Sequence, residues 1–180
     1  MGSGGNPAFL LTTLISDLML GRMAGLAFTR PPGCFAEVGV YQGGSARELY
    51  SVSKRQGRKL YLYDTFSGMP FKGEFDTHDV GLFSDCSAEE VQSSMPEAIV
   101  VKGIFPQSIV EMPPVAFVHA DADQYQTTVD IIKVFSPLMV KGGIILFDDY
   151  YCVPSCILAV DENFKDVTTL PDGRAVVTFQ

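Results

Sequence analysis

The 180-residue sequence has no tryptophan and only two histidines, and its 13 lysines and arginines are outnumbered by 21 acidic residues. A net charge of −8 argues against nucleic acid or an anionic membrane as partner, because phosphates attract the cations that are scarce here. No apolar run approaches the roughly 20 residues of a membrane-spanning helix. Cysteine is sparse, at positions 34, 86, 152 and 156. Cys152 and Cys156 have the spacing of one helical turn, but no second Cys or His pair lies near them. Buried, reduced thiols are therefore the better reading than a metal clip, and they fit a cytoplasmic protein. The opening Met1-Gly2-Ser3-Gly4-Gly5 lacks a basic stretch and reads as a flexible or expression-derived start, not a secretory signal.

What is present is a 47% apolar share, enough for one hydrophobic core in a chain of one-domain length. Phe9, Leu10, Leu14, Leu18 and Met19 recur at helical spacing and predict amphipathic helix, in one piece or two, over 7–28. Pro31-Pro32-Gly33 stops it, so 1–30 form a helical segment ahead of a domain at 31–180. Strands are expected at 34–40, 59–64, 98–102, 115–120 and 143–147, and helices at 43–56, 88–95, 124–139 and 153–164. A closing hairpin, 167–170 with 175–179, turns through Pro171-Asp172-Gly173, where Pro sets φ and Gly accepts a positive one. Near-continuous apolar strands between helices mean a mostly parallel sheet covered on both faces, with an antiparallel strand at one end. Such doubly wound α/β folds bind ligands beyond the carboxyl ends of their strands.

Chemistry-bearing residues gather at those ends. Glu37-Val38-Gly39-Val40-Tyr41-Gln42-Gly43-Gly44-Ser45 closes the first strand and opens a helix, with glycines that let backbone approach a ligand. Its G-x-x-x-G-G spacing departs from the G-x-G-x-x-G of dinucleotide sites. Glu37 would repel a diphosphate but pair with an ammonium, which favours S-adenosylmethionine; a ligand-free strand–helix turn is the alternative. Asp64 ends the second strand, 27 residues after Glu37, near the roughly 20-residue offset of an acid that accepts ribose hydroxyls. His119-Ala120-Asp121-Ala122-Asp123 follows the fourth strand and Asp148-Asp149 the fifth. Carboxylates that converge repel unless a cation or proton neutralises them, and oxygen ligands select Mg²⁺ or another hard dication. His119 has two readings, a base beside the metal or a histidine packed at a strand end. The loop 71–85, with His78, Asp79 and Phe83, is long enough to act as a lid.

These residues together resemble the macrocin O-methyltransferase (TylF) family, which methylates sugar hydroxyls of macrolide and related antibiotics. The likeness runs from about Phe35 to Phe164 and is carried by four stretches. They are Glu37 to Ser45, Asp64-Thr65-Phe66-Ser67-Gly68-Met69-Pro70, Lys102-Gly103-Ile104-Phe105-Pro106-Gln107-Ser108, and the pair His119 to Tyr125 with Gly142 to Tyr150. The resemblance implies a Rossmann-like seven-stranded sheet ordered 3-2-1-4-5-7-6. It implies S-adenosylmethionine held by Glu37, Gly39, Tyr41, Gly43 and Ser45 at the methionine end and by Asp64 and Thr65 at the ribose. Lys102, Gly103 and Phe105 would lie at the adenine, with Asp121 alongside. It further implies magnesium on Asp121, Asp148 and Asp149, with Asp121 as general base and His119 close by. Tyr150, Tyr151, Cys152 and Val153, after Asp149, have two readings: the lining of an acceptor pocket for a small-molecule hydroxyl, or apolar packing. The family's tendency to associate, and an N-terminal apolar face in need of a partner, point to a homo-oligomer. Two rivals remain: a nicotinamide-dependent oxidoreductase, which lacks its G-x-G-x-x-G and Tyr-x-x-x-Lys here, and a non-catalytic module that only binds the cofactor.

Overall fold

Alternation of apolar strands with amphipathic helices produces twelve elements in the computed structural model, which describes residues 16–180. In chain order they are α1 (Asp17–Phe28), β1 (Cys34–Val38), α2 (Gly44–Arg55), β2 (Leu60–Asp64), α3 (Ala88–Ser94) and β3 (Ile99–Lys102). There follow β4 (Val115–Ala120), α4 (Tyr125–Phe135), β5 (Met139–Phe147), α5 (Pro154–Asn163), β6 (Thr168–Thr169) and β7 (Ala175–Thr178). One seven-stranded sheet runs β3-β2-β1-β4-β5-β7-β6, the Rossmann-like order the resemblance implies. Strands β1 to β5 pair in parallel, and β7 is antiparallel to β5 and to β6.

Burial on both faces explains the unbroken apolar strands. Phe35, Leu60, Leu62 and Phe117 pack toward α1, α2 and α3. Ala36, Val38, Tyr63, Val118 and Phe147 pack toward Ile131, Ile132 and Phe135 of α4 and Val160 of α5. All five β1 residues are buried, and removing their side chains from water is the main force that closes the layers.

Expected and observed elements differ in places. The predicted N-terminal helix begins, within the described residues, at Asp17, with Ser16 accepting from the Met19 amide at 3.4 Å; the part of 7–28 before Ser16 lies outside them. Leu20, Met23 and Ala27 of this helix pack into the same core as Leu49 and Val52 of α2, while Leu18 and Phe28 stay exposed. The helix expected to reach residue 139 stops at Phe135, where a 3₁₀ turn with Pro137 intervenes, and β5 starts at Met139. Pro lacks the amide that a continuing helix requires. Of the cysteines, Cys34 and Cys156 are buried as expected, Cys86 is half-buried and Cys152 is exposed. No helix among the described residues is long and apolar enough to cross a membrane.

Candidate functional site

At the carboxyl end of β1 the chain must turn where β4 crosses it closely. Gly39 has φ +89°, and a Cβ there would collide with the Asp121 carbonyl oxygen. Only glycine serves, because both the positive φ and the contact exclude a side chain. Tyr41 also takes a positive φ of 51°, and Gly43, at 82°, opens α2. The turn is braced from β2: Asp64 Oδ2 accepts the Val40 and Tyr41 amides at 2.7 and 2.8 Å, and its Oδ1 accepts the Phe66 amide at 2.7 Å. Charge-assisted bonds of this kind are strong and leave the loop few alternatives.

A cleft of about 400 Å³ opens over these strand ends, within the range of small-molecule sites. Of the residues expected at a cofactor, it is lined by Gly39, Tyr41, Ser45, Asp64, Thr65, Gly103, Phe105 and Asp121. Asp148, Asp149, Tyr151, Cys152 and Val153 line it as well. Five expected positions do not; one is Tyr150, whose hydroxyl donates to Asp161 of α5 at 2.8 Å. Gly43 caps α2 and closes the turn by donating its amide to the Val40 carbonyl at 2.8 Å, and Lys102 is exposed at the end of edge strand β3. Glu37 is fully buried below the cleft, and so is His119. Register makes them partners: Glu37 on β1 lies opposite His119 on β4, and the two side chains meet at 2.8 Å.

Loop 71–85 folds over one side. Gln124 donates to the Phe71 carbonyl at 2.6 Å. Buried Asp76 accepts the Tyr125 amide, at the start of α4, and the Gly73 amide, each at 2.8 Å. Asp76 thus supplies the helix cap that the chain's own Gln124 does not. At the loop's far end Phe83 meets Tyr41 edge-on at 5.6 Å, and the Tyr41 hydroxyl donates to Asp85 at 2.9 Å. His78 pairs with Asp123 at 3.4 Å. Asp76 and Gln124 gave no sequence signal, since their roles depend on a loop returning to a helix start.

Acids crowd the opposite side. Ligand atoms of Asp121, Asp123 and Asp149 lie within 4.8 Å of one another, and so do those of His119, Asp121 and Asp148. Asp121 belongs to both sets, and Asp123 joins the acids singled out from sequence. Burial, then the charges of Asp149 and Asp148, push the Asp121 carboxyl well up. Burial and Asp123 do the same to Asp149, and burial raises Asp123. Asp148 differs: burial raises it too, but hydrogen bonds and charge from His119 and Arg174 outweigh that and hold it below the usual carboxylate range. His119 faces Glu37 Oε1 with Nδ1 at 2.8 Å and Asp148 Oδ1 with Nε2 at 3.1 Å. Burial alone would lower its pKa, yet these two bonds hold it well above the ordinary value. Both ring nitrogens are engaged, so the packed reading of His119 describes its surroundings.

Three carboxyls that are poorly compensated in one pocket form an all-oxygen donor set, which fits a hard dication. The glycine turn, Asp64 and the apolar wall of Phe105, Leu82 and Phe83 fit a nucleoside with a small charged tail.

Sheet order and strand-end cleft together define the class I methyltransferase fold. The model of the macrocin-O-methyltransferase (TylF) family matches residues 23–176, and the chain belongs to that family. Among its relatives is the 8-demethyl-8-(2,3-dimethoxy-alpha-L-rhamnosyl)-tetracenomycin-C 4'-O-methyltransferase of Streptomyces olivaceus, 26% identical over 81% of this chain and 65% of that protein. Another is the demethyldecarbamoylnovobiocin O-methyltransferase of Streptomyces niveus, 27% identical over 73% of this chain and 58% of that one. The chain therefore spans about two thirds or less of the length of these relatives. The solved O-methyltransferase NovP superposes with a TM-score of 0.77 at 21% identity, covering 93% of this chain and 82% of its own.

Proposed function

We propose that the chain is an S-adenosylmethionine-dependent O-methyltransferase acting on a hydroxyl of a sugar or related small molecule, assisted by a divalent cation. One observation carries this reading. One cleft joins the braced glycine turn to a crowd of carboxyls, Asp121, Asp123, Asp148 and Asp149, of which Asp148 alone is held below the usual carboxylate range by basic partners. The rhamnosyl group in one relative's name supports a sugar hydroxyl as acceptor.

When bound, S-adenosylmethionine supplies a methyl group already activated on sulfur, and the dication supplies positive charge that eases loss of a hydroxyl proton. The chain's own residues do the positioning. Gly39 and Ser45 would receive the methionine end, Asp64 and Thr65 the ribose, and Gly103 and Phe105 the adenine. Asp121, Asp148 and Asp149 would hold the metal, with Asp123 a further carboxyl beside Asp121 and Asp149. Asp121, at the carboxyl end of β4 and lining the cleft, is the group placed to take the acceptor's proton. His119 serves from below by fixing Asp148. Tyr151, Cys152 and Val153, facing the loop residues Thr77 and His78 across the cleft, would seat the acceptor. Free thiols, one of them exposed, suit a reducing cytoplasmic setting.

Titration calorimetry with S-adenosylhomocysteine and, separately, NAD⁺ tests the cofactor half. Binding of the first alone is expected; binding of NAD⁺ alone, or of neither, overturns the reading.

A further inference from the structure

The buried polar chain beneath the cleft runs on well past it. Asp148 Oδ1, already 3.1 Å from His119, also accepts from Arg174 Nη1 at 3.0 Å. Arg174 Nη2 donates to Asp172 Oδ2 at 3.0 Å and to the Met19 carbonyl at 2.8 Å. That same Asp172 oxygen accepts from Arg22 of α1 at 2.6 Å. Acidic and basic groups therefore alternate through Glu37, His119, Asp148, Arg174, Asp172 and Arg22, from the middle of the sheet to its covering helix.

Arg174 is the residue on which this chain turns. It stands between the hairpin turn and β7 and is the largest fully buried side chain among the described residues. An apolar side chain would fill such a place more cheaply, since desolvating a guanidinium costs several kcal/mol before its partners compensate. Nor is the group arranged for full satisfaction: its Nε has no partner among the described residues. What the geometry provides is aim. The planar fork sends one nitrogen to a carboxylate that lines the cleft and the other to Asp172 and the α1 backbone, a span that a single ammonium cannot reproduce.

We propose that Arg174 is a positioning residue for the active site. With His119 it clamps one oxygen of Asp148, fixing the carboxylate that this residue presents to the cleft, and it ties α1 to the same point. Partners that orient metal ligands from behind affect metal affinity strongly. Here that effect rests on the metal reading above.

The test uses Arg174→Lys, which retains the charge, with Mn²⁺ binding followed by electron paramagnetic resonance and S-adenosylhomocysteine binding by calorimetry. Mn²⁺ affinity is expected to fall at least about tenfold while the nucleoside affinity stays within about twofold. Adding Arg174→Lys to Asp148→Asn should bring little further loss, because both act on one carboxylate. A signal independent of metal is the His119 imidazole in ¹⁵N-histidine-labelled protein. Its Nε2 resonance, facing Asp148, should move in Arg174→Lys, and its Nδ1 resonance, facing Glu37, should stay. Asp172→Asn, which loosens the fork without removing it, should shift the same resonance less. Should the parent protein bind no Mn²⁺, the metal reading fails, and Arg174 is judged on the Nε2 resonance alone. An unmoved Nε2 resonance in folded Arg174→Lys, or additive losses of Mn²⁺ affinity in the double variant, overturns the proposal.

Discussion

Asp64 Oδ2 accepts the amides of Val40 and Tyr41 together, so the acid that ends β2 is also the brace of the loop that ends β1. Asp64→Asn cannot keep all three of its backbone bonds. If the amide oxygen takes Val40 and Tyr41, the NH₂ faces the Phe66 amide, donor against donor. An unsatisfied group of this kind costs about 1–3 kcal/mol. Calorimetry should show S-adenosylhomocysteine affinity reduced at least about tenfold, and a melt should show a lower midpoint.

Mg²⁺ should raise the melting temperature of the protein, since a ligand that binds only the folded state stabilises it by mass action. Asp149→Asn should abolish that increment. Without Mg²⁺ the same variant should be as stable as the parent or more so, because it removes one member of a crowded acid group whose carboxyl is disfavoured as an anion. Scanning calorimetry with and without EDTA reads both effects.

Loop 71–85 should detach when its anchor goes. Asp76→Ala removes the bonds to the Tyr125 and Gly73 amides at once. Loss of a helix cap costs about 0.5–2 kcal/mol. Proteolysis within 71–85 should accelerate, and KM for a methyl acceptor should rise more than kcat falls.

Acid should expose the Asp172 ion pairs. Burial raises the Asp172 carboxyl, but the hydrogen bonds and charges of Arg174 and Arg22 outweigh it and hold the group below its usual value. A carboxyl with a depressed folded pKa contributes stability above its unfolded value and loses it as pH falls through the folded one. Asp172→Asn should therefore melt below the parent at neutral pH. The gap between the two midpoints should narrow from about pH 4 downward. A gap that is constant with pH would contradict the ion-pair account.

The sheet was legible because hydrophobic runs and turn residues punctuate it. The strand order came with the family likeness, not with periodicity. Gly39, Asp64, Asp121, Asp148 and Asp149 were legible for a simple reason: strand ends must carry the chemistry in this topology. That Glu37 and His119 would meet was not. It depends on the register between β1 and β4, which local sequence does not state. Arg174 was hidden for a similar reason. Beside Pro171-Asp172-Gly173 it reads as one more residue of a hairpin turn, and its burial follows only once β7 lies against β5 with α1 covering the end. Helix α4 was overextended because apolar spacing continues past Phe135, while Pro137 ends it.

Mass spectrometry of methyl transfer bears most directly on the central claim. The protein is incubated with S-adenosylmethionine, Mg²⁺ and a panel of deoxysugar glycosides. A glycoside should gain the mass of one methyl group, with S-adenosylhomocysteine formed in equal amount, and Asp121→Asn should lose the product while still binding the methyl donor. Donor bound at full affinity with no glycoside or other hydroxyl compound methylated, or turnover unchanged in Asp121→Asn, would contradict it.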